Sequence, residues 1–445
     1  MTTPFVPLTV ADIVDEFIEG ENPFRWEAFD GSSTGPEDAK YTVRINSPEG
    51  LSYIVTAPGD VGLARAFVTE GLTVEGEHLA HPYGIFDSLR ELYSKIKKPD
   101  FKTMARVMRS LGSMGAIQVQ PVPDVEEASW LERTIRQGLS KHSKERDADV
   151  ISAHYDVGND FYELFLGDSM TYTCAIYPHE NATLEEAQEN KYRTVFDKLD
   201  LKPGDHHLDV GCGWGGMVRY AARQGVHSLG VTLSKEQAQW AQAKIKEEGL
   251  EDFAEVRHMD YRDVQEAEFD GISAIGILEH IGADNYRDFF EFMQDKLHVG
   301  GKMLNHCITY PDNHKTAKGT FIDRYIFPDG ELTGSGMITQ AMQDIGLEVV
   351  HTETFRFDYM RTLRDWCENL KENWDEAVEL VGLPTAKLYG MYMAGSEWGF
   401  EHNVVSLYHF LGVKLAEDGT RVDTPERRWW ADTTAEEFHS AQGSA

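Results

Sequence analysis

The strongest constraint on the fold is a glycine-rich turn that directly follows a short apolar run. Residues 206–216 read HHLDVGCGWGG, in which four glycines follow the apolar run: Gly211, Gly213, Gly215 and Gly216. Glycine lets the backbone turn tightly and come close to a ligand, and the N-terminus of the next helix then faces that ligand. The stretch therefore predicts a strand, a cofactor-binding loop and a helix in succession.

The segment from 151 to 414 repeats this alternation of strand and helix. Its strand-like runs are HHLDV, HSLGVTL, GISAIGIL and GKMLNHCIT, and its helical stretches include KEQAQWAQAKIKEEG and NYRDFFEFMQDKL. Strands that alternate with helices form a parallel sheet with crossover helices on its faces. We therefore predict an α/β fold of the Rossmann-like kind for this part of the chain.

The glycines alone do not decide which cofactor is bound. Gly211, Gly213 and Gly216 satisfy the GxGxxG pattern of dinucleotide sites, but such a site also needs an acidic residue about 20 positions further on, for the ribose hydroxyl. Thr232 stands at that place, in LGVTLS. An acidic residue, Asp209, instead precedes the first glycine, as in S-adenosylmethionine sites. The pattern favours S-adenosylmethionine, with a nicotinamide site and a plain strand–helix turn as the alternatives.

Composition and periodicity divide the chain into four parts. Residues 1–117 are predicted to form a smaller N-terminal α+β domain that ends in a basic helix, and 118–150 a linker with a second cationic run. Residues 151–414 form the predicted methyltransferase domain, and 415–445 a polar tail. Near the N-terminus, YTVRINSPEG and LSYIVTAP alternate as strands do, whereas ADIVDEFIEG and GLARAFVTEG have helical spacing.

The charge distribution bears on the partners of the protein. A formal net charge of −33 argues against general affinity for nucleic acid, and a solubility or salt adaptation explains it. Between 94 and 115 the balance reverses, with six cations against Asp100: Lys95, Lys97, Lys98, Lys102, Arg106 and Arg109. Apolar residues fall between them at helical spacing. Such a helix can lie on an anionic membrane surface or pack on its own protein as a linker helix, and both interpretations stay open.

Cysteine usage and hydropathy bear on the location. The four cysteines form no CxxC pair, which excludes a disulfide scaffold and argues against a cysteine-rich zinc site. The first residues carry no basic leader before an apolar run, and no stretch approaches the roughly 18 apolar residues that a membrane span needs. We expect a cytoplasmic protein, bound peripherally to the inner face of the cell membrane, without a metal.

Five motifs in this order resemble the cyclopropane fatty acid synthase family, which includes the mycolic acid cyclopropane synthases. They are HYDVGNDFYELFLGDSMTYTCAIY at 154–177, LDVGCGWGG at 208–216, GVTLSKEQ at 230–237, ILEHIG at 277–282 and DRYIFPDGEL at 323–332. The resemblance covers 151–414 and extends loosely to the N-terminal region, because members that act on phospholipids carry an extra N-terminal domain.

The resemblance implies a reaction and a site. Members of the family transfer the methyl group of S-adenosylmethionine to a cis double bond of an acyl chain, with a bound bicarbonate ion as the base. The residues implied to hold bicarbonate are Cys174, Glu279, His306, Ile308 (through its backbone) and Tyr359. The residues implied to hold the cofactor are Tyr172, Thr173, Asp209, Gly211, Gly213, Gly215, Thr232, Leu233, Ser234, Gln237, Asp260 and Tyr261.

The chemistry makes these residue types reasonable. An alkene that attacks a sulfonium methyl group becomes a carbocation, so the site must exclude water and line the cavity with π faces. Aromatic residues that could supply such faces are Tyr172, Tyr177, Phe355, Phe357, Tyr359 and Trp366. A base must then remove a proton, and Cys174 acts as a weak donor rather than a nucleophile. Taken singly, Cys174 and the aromatic residues are more typical of a plain core, and His306 is equally consistent with a structural histidine. Glu279–His280 is consistent with an ion pair at a helix start.

Three further expectations concern the motif at 154 and the product. His154 is expected to belong to a capped helix that closes over the cofactor. The segment GFEHNVVSLYHFLGVK at 399–414 departs from the family's usual basic run, in a region that could border the acyl channel. The product is expected to be a cyclopropane. The alternative is a methylene fatty acid, which a partner reductase would then saturate.

Two other functions are more distant alternatives: a small-molecule O- or N-methyltransferase and an inactive lipid-binding protein. A homodimer is compatible with the sequence.

Overall fold

The computed structural model describes residues 5–126, 158–314, 316 and 319–422. The N-terminal unit contains five helices and four strands: α1 (Val10–Phe17), β1 (Arg25–Ala28), β2 (Ser33–Thr34), β3 (Thr42–Ile45), α2 (Pro48–Thr56), α3 (Asp60–Val68), β4 (Leu72–Glu75), α4 (Tyr83–Ser94) and α5 (Phe101–Ser113). The strands form a sheet in the order β2-β1-β3-β4, with β1 and β3 parallel and the other pairs antiparallel. This unit is α+β, as predicted.

One prediction for this unit is wrong. The run LSYIVTAP was expected to form a strand, but its first six residues belong to α2. The hydroxyl of Ser47 accepts from the backbone N–H of Gly50, and Pro48 occupies the first turn, where its missing N–H costs nothing. Leu51, Ser52 and Tyr53 are all buried, which a half-buried strand would not allow. The helix-capping residues Ser47 and Pro48 therefore decide the conformation of this segment, and its apparent alternation of apolar and polar residues does not.

The C-terminal unit contains ten further helices and seven strands among the described residues. In chain order they are α6 (Asn159–Leu166), α7 (Leu184–Leu199), β5 (His206–Val210), α8 (Gly216–Arg223), β6 (His227–Thr232), α9 (Lys235–Glu247), β7 (Ala254–His258), β8 (Phe269–Ile275), α10 (Leu278–Ile281), α11 (Tyr286–Lys296), β9 (Leu297–Thr309), α12 (Phe321–Tyr325), α13 (Ser335–Asp344), β10 (Leu347–Thr354), α14 (Arg356–Glu372), α15 (Trp374–Glu401) and β11 (Ser406–Lys414). Helix α15 is kinked at Gly382, which has φ 80°.

The seven strands form one sheet in the order β10-β11-β9-β8-β5-β6-β7. The strands from β9 to β7 pair in parallel, whereas β11 runs antiparallel between β9 and β10. The strand order reverses at β5, which pairs with both β6 and β8, and ligands of open α/β sheets bind at such a switch point. The sheet confirms the predicted Rossmann-like methyltransferase fold.

The two units pack against each other through α15. The ammonium group of Lys387 is buried and donates to the carbonyl of Phe67 at 2.7 Å. Gly390 brings α15 so close to the N-terminal unit that a Cβ there would lie 2.3 Å from the carbonyl oxygen of Leu79. Small residues on α15 therefore let the helix serve as a shared wall between the units.

A buried carboxylate reinforces this contact. Glu126 is 3% exposed and accepts from Arg65 at 2.6 and 2.7 Å, from Arg324 at 3.1 Å and from the hydroxyl of Tyr325 at 2.5 Å. Burial opposes its charge, but these donors outweigh burial and lower its pKa. The first part of the segment predicted as a linker, 118–126, is therefore tied to both units.

A histidine lies at the same boundary. The two ring nitrogens of His81 contact carboxylate oxygens of Glu368 and Glu397, each at 2.7 Å. Burial opposes charge on the imidazole, but the two hydrogen bonds outweigh it and raise its pKa. Cys367 lies close enough to complete a metal-ligand set with His81 and Glu397. Because both nitrogens of His81 already meet carboxylates, the arrangement is that of an ion pair between the units.

Candidate functional site

The predicted cofactor loop lies at the carboxyl end of β5. Gly211, Gly213 and Gly215 have φ of 71°, 54° and 75°, a left-handed conformation that favours glycine. The N–H groups of Gly211 and Cys212 both donate to the carbonyl of Val231 on β6, at 2.9 and 3.0 Å. The loop is therefore held tightly against the next strand, and its turn leads straight into α8.

The polar residues at the end of β6 hold one another in a second tight turn. The hydroxyl of Thr232 donates to the side-chain carbonyl of Gln237 at 2.8 Å and accepts from the N–H of Ser234 at 3.2 Å. Ser234 caps α9 by accepting from the N–H of Gln237. The carbonyl of Leu233 accepts from His258 at 3.1 Å. The structure thus brings Thr232, Leu233, Ser234 and Gln237 together beside the glycine loop.

Asp260 and Tyr261 follow β7 at the same edge of the sheet. The guanidinium of Arg262 donates to both carboxylate oxygens of Asp260, at 2.8 and 2.6 Å. The ring of Tyr261 packs edge-on against Phe289 and Phe292, with centroids 5.5 and 5.2 Å away. Asp260 is therefore held in its orientation by a cation from its own turn.

A buried lysine, Lys191, lies between the cofactor residues and the predicted catalytic residues. Lys191 on α7 is fully buried, and its ammonium group donates to the hydroxyl of Thr173 at 2.7 Å. Burial lowers its pKa to about 7. The positive charge of Lys191 favours the ionised forms of Cys174 and Asp209, against the larger effect of their burial. It also lowers the pKa of His306. Lys191 is therefore an electrostatic contributor to both groups of residues, second to their burial.

Asp209 ends β5 with its carboxylate in the protein interior. It is 2% exposed, and it accepts from the hydroxyl of Ser273 at 2.5 Å. Burial raises its pKa to about 7, although Ser273 and Lys191 both favour the charged form. The Asp209 side chain is thus held by β8, directly before the glycine loop begins.

Glu279 and Ile308 are in direct contact. The backbone N–H of Ile308, near the end of β9, donates to one carboxylate oxygen of Glu279 at 2.7 Å. The other oxygen, Oε2, is buried and has no hydrogen-bond partner among the described residues. Burial raises the pKa of Glu279 to about 7. The hydrogen bond from Ile308 to Oε1 thus orients the side chain of Glu279, and Oε2 is available to a ligand.

His306 lies two residues before Ile308 and therefore on the same face of β9. Its Nδ1 contacts Nε2 of His409 on β11 at 2.8 Å, whereas its own Nε2 is buried without a partner in the described parts of the chain. Burial, followed by the charges of Lys191 and Lys198, keeps its pKa well below the ordinary 6.5. His306 is therefore a neutral imidazole.

Cys174 and Tyr359 meet around the backbone of Phe355. The thiol of Cys174 is fully buried, contacts the carbonyl of Ala175 at 3.0 Å, and lies 3.8 Å from that of Phe355. The N–H of Tyr359, in the first turn of α14, donates to the carbonyl of Phe355 at 3.0 Å. Burial raises the pKa of Cys174 well above its ordinary value, so that it is an uncharged thiol.

The predicted aromatic wall is partly correct. Tyr172 packs 5.4 Å from Trp366, and Tyr359 packs 6.2 Å from Trp366 and 4.4 Å from Phe400, all measured between ring centroids. Phe357 is 60% exposed, so its assignment to the wall is wrong. A strand–helix boundary precedes it, and the helical period turns its side chain outward between Phe355 and Tyr359.

Tyr177, another residue predicted for the aromatic wall, makes polar contacts with α14. Its hydroxyl donates to Asp365 at 2.6 Å, and the guanidinium of Arg361 lies 3.8 Å from its ring centroid. His154, with its proposed helix cap, lies outside the described residues.

Three residues near the site, Lys191, Lys198 and His409, were not predicted from the sequence. Both lysines lie on the apolar face of α7, together with the buried Ala187 and Val195, and a cation on such a face is the signal that was available. For His409 the sequence offers only its place in the departing segment 399–414, which does reach the site through Phe400 and His409.

Comparison with known proteins identifies the family. Residues 142–410 match the family model described as mycolic acid cyclopropane synthetase. A probable fatty acid methyltransferase of Mycobacterium tuberculosis is 52% identical over 425 residues, which is 95% of this chain and 98% of that protein. The sequence match therefore includes the N-terminal unit.

Two solved structures are similar to the C-terminal unit. The cyclopropane synthase MmaA2 from Mycobacterium tuberculosis has a TM-score of 0.56 at 32% identity, covering 60% of this chain and 98% of that one. The mycolic acid cyclopropane synthase CmaA1, solved with S-adenosylhomocysteine and CTAB, has a TM-score of 0.56 at 30% identity over the same shares. The family model, the relative and the solved structures agree, and the chain belongs to the mycolic acid cyclopropane synthetase family of methyltransferases.

Proposed function

We propose that the protein transfers the methyl group of S-adenosylmethionine to a cis double bond of a phospholipid acyl chain and forms a cyclopropane. The observation that carries this proposal is a pair of buried polar atoms, Oε2 of Glu279 and Nε2 of His306, which have no partners among the described residues. Glu279 follows β8 in α10, whereas His306 lies in the neighbouring strand β9, opposite Ile275 at the end of β8. Buried polar atoms usually have hydrogen-bond partners, and a bound ligand would supply partners to these two.

The residues around the glycine loop fit S-adenosylmethionine. Gly211, Gly213 and Gly215 have positive φ, which favours glycine, and without side chains at these three positions a ligand can approach the backbone of the loop. When bound, this cofactor supplies an electrophilic methyl group. Asp209 and Lys191 lie beneath the loop with opposite charges that burial suppresses. Thr173, held by Lys191, would position the reactive end of the cofactor toward the aromatic wall.

The two unpartnered atoms fit a small planar anion such as bicarbonate. Bicarbonate both donates and accepts hydrogen bonds, and it would supply the base that the reaction requires. Glu279 would accept from it or donate to it, according to protonation, because burial brings its pKa to about 7. His306 is neutral and presents its Nε2 to the site, whereas the uncharged thiol of Cys174 is too weak an acid to act as a nucleophile.

The aromatic side chains serve the cationic intermediate. Tyr172, Tyr359 and Trp366 form a contiguous wall with edge-on and tilted contacts, and such faces stabilise a nearby positive charge. Tyr359 and Trp366 are buried, so water is excluded from this side. Buried aromatic surroundings suit an alkene better than a polar amine or hydroxyl acceptor, which disfavours the small-molecule alternatives.

The lipid is proposed to meet the protein at α5. The inner face of this helix packs in the N-terminal core through Val107, Ser110 and Leu111. Its outer face has an apolar half, where Phe101 is 87% and Met108 48% exposed, and a cationic half: Lys102, Arg106 and Arg109. Exposed apolar side chains beside cations are typical of helices that lie on anionic bilayers. No helix among the described residues is long and apolar enough to cross a membrane.

Incubation with S-adenosylmethionine and vesicles of oleoyl phosphatidylglycerol tests the reaction. We expect each modified chain to gain the mass of one CH₂ group and to show cyclopropane protons in its NMR spectrum. Vinylidene protons would establish the methylene alternative instead, and with it the need for a reductase. No gain in mass would contradict the lipid proposal.

Vesicle binding tests the docking surface. Lys102→Glu with Arg106→Glu should weaken binding to anionic vesicles about 30-fold or more, at about 1 kcal/mol for each cation lost. The matched control is Lys235→Glu with Lys246→Glu, which makes the same change in net charge at two exposed positions of α9. Equal loss in both double variants would show a general charge effect, and unchanged binding in the first would place the contact elsewhere.

A further inference from the structure

Four side chains form a buried hydrogen-bonded chain from the candidate site to the edge of the sheet. Nδ1 of His306 contacts Nε2 of His409 at 2.8 Å, and Nδ1 of His409 contacts the ammonium group of Lys198 at 3.0 Å. Lys198 also donates to Glu353 at 2.7 Å. Both histidines and the side chain of Lys198 are 0% exposed, and only Glu353, with 38% exposure, reaches solvent.

The outer end of this chain is charged. Glu353 accepts from Nε2 of His351 at 3.3 Å as well as from Lys198. The hydrogen bond from His351, with the further help of Lys198, lowers the pKa of Glu353 to about 2 against the effect of burial. The carboxylate is thus ionised at neutral pH, and its ion pair holds Lys198 in the ammonium form although burial lowers the pKa of the lysine.

The charge at the outer end determines the tautomer of each histidine. An ammonium group has donors but no acceptor, so Nδ1 of His409 must accept from Lys198. A neutral imidazole carries one proton, which places the proton of His409 on Nε2, from where it is donated to Nδ1 of His306. The single proton of His306 is then on Nε2, the atom that has no partner in the described parts of the chain.

We propose that Lys198 and His409 are positioning residues that hold His306 as an Nε2–H donor directed at the anion of the candidate site. The proposal rests on the proposed function for the identity of the anion, but the tautomer itself follows from the hydrogen-bonded chain alone. A lone pair at Nε2 would repel an anion, whereas an N–H group at the same atom donates to it. Lys198 is two hydrogen bonds from His306 and does not contact the ligand itself.

Substitutions at His409 separate positioning from packing. The side-chain amide of His409→Gln can still donate to Nδ1 of His306, whereas His409→Leu fills the space without a donor. In ¹⁵N-histidine NMR of the wild-type protein without ligands, we expect His306 to be protonated at Nε2 and not at Nδ1. His409→Leu and Lys198→Met should shift His306 toward the other tautomer, and His409→Gln should retain the wild-type tautomer. The resonances of His306 are assigned with His306→Gln.

Bicarbonate titration supplies the functional readout. His409→Leu should raise the bicarbonate concentration for half-maximal methyl transfer about 10-fold or more, the effect of losing a hydrogen bond to a charged group, while His409→Gln stays close to wild type. Binding of S-adenosylhomocysteine, which shows that the variants fold, should be unchanged. His207, buried between Ser228 and Ser273, provides an internal reference whose signals should not move.

The outcomes distinguish the two proposals. A proton on Nδ1 of His306 in the wild-type protein, or His306 signals unaffected by both His409→Leu and Lys198→Met, would overturn the positioning inference. The predicted tautomer in a protein that methylates no oleoyl chain would leave the positioning inference standing and remove the proposed substrate.

Discussion

Replacing Glu279 with glutamine should make the fold more stable and the enzyme less active. Glutamine has the same shape and keeps an oxygen for the N–H of Ile308, which lies 2.7 Å from Oε1. The change therefore affects the other oxygen, Oε2, which is buried without a partner among the described residues. A carboxyl group that is retained at such a cost to stability is characteristic of a functional site.

The stability change follows from the pKa of Glu279. Burial raises it from the ordinary 4.5 to about 7. A raised pKa means that the carboxyl's contribution to stability is fully present below pH 4.5 and is lost as the pH rises through about 7. At 1.36 kcal/mol for each pKa unit, this loss amounts to about 3 kcal/mol. Glu279→Gln does not titrate, so its free energy of unfolding should exceed the wild-type value by about 3 kcal/mol above pH 8 and by little below pH 5.

The activity should change in the opposite direction. Loss of one hydrogen bond between a charged group and the ligand costs about 1.5–3 kcal/mol, or roughly 10- to 150-fold in kcat/KM. Binding of S-adenosylhomocysteine should stay within a factor of about two. Urea unfolding, followed by tryptophan fluorescence across this pH range, and methyl transfer to oleoyl vesicles measure the two effects. Glu251→Gln, at an exposed position, is the control. The reasoning is refuted if wild type and Glu279→Gln lose stability equally with pH, or if Glu279→Gln retains full activity.

Three other substitutions test the surroundings of the site. Lys191→Met removes the donor to Thr173 and should weaken S-adenosylhomocysteine binding roughly 2- to 10-fold by calorimetry. Because burial lowers the pKa of Lys191 to about 7, the wild type should also gain stability over this variant as the pH rises from 7 toward 10.5. Glu126→Ala leaves the largely buried Arg65 without its carboxylate and should lower the free energy of unfolding by about 3 kcal/mol. Gly276→Ala should cost about 1–2 kcal/mol in urea unfolding, since φ is 71° and the new methyl group would lie 2.8 Å from Cγ2 of Thr173.

Each of these substitutions has a control elsewhere in the chain. Lys246→Met and Glu21→Ala remove charges at exposed positions and should leave binding and stability unchanged. Gly336 lies in α13 with open space around its Cα, so Gly336→Ala should stabilise the protein by up to about 1 kcal/mol. If Gly276→Ala were as stable as Gly336→Ala, the strain assigned to Gly276 would be absent. If Glu126→Ala unfolded like Glu21→Ala, the buried ion pairs would contribute nothing.

Local features of the sequence were sufficient for much of the fold. The glycine loop, the strand runs and the helical stretches of the C-terminal unit are all found where their patterns predict them, because backbone conformation and periodicity are properties of neighbouring residues. The strand predicted at LSYIVTAP is wrong because Ser47 and Pro48 are a local signal for the start of a helix, α2. Reasoning from the sequence also misplaces Phe357, because an aromatic residue at a helix start does not reveal which face is buried.

The sequence by itself determined the family, the cofactor loop and the set of residues at the carboxyl edge of the sheet. Only the tertiary structure decided how those residues are charged and oriented. His306 and His409 are far apart in the chain and meet because β9 and β11 pair. Burial lowers the pKa of Lys191 and Lys198 and raises the pKa of Glu279, which in each case favours the uncharged form of the side chain. Burial and strand pairing depend on distant parts of the chain, whereas a glycine turn depends only on its own backbone.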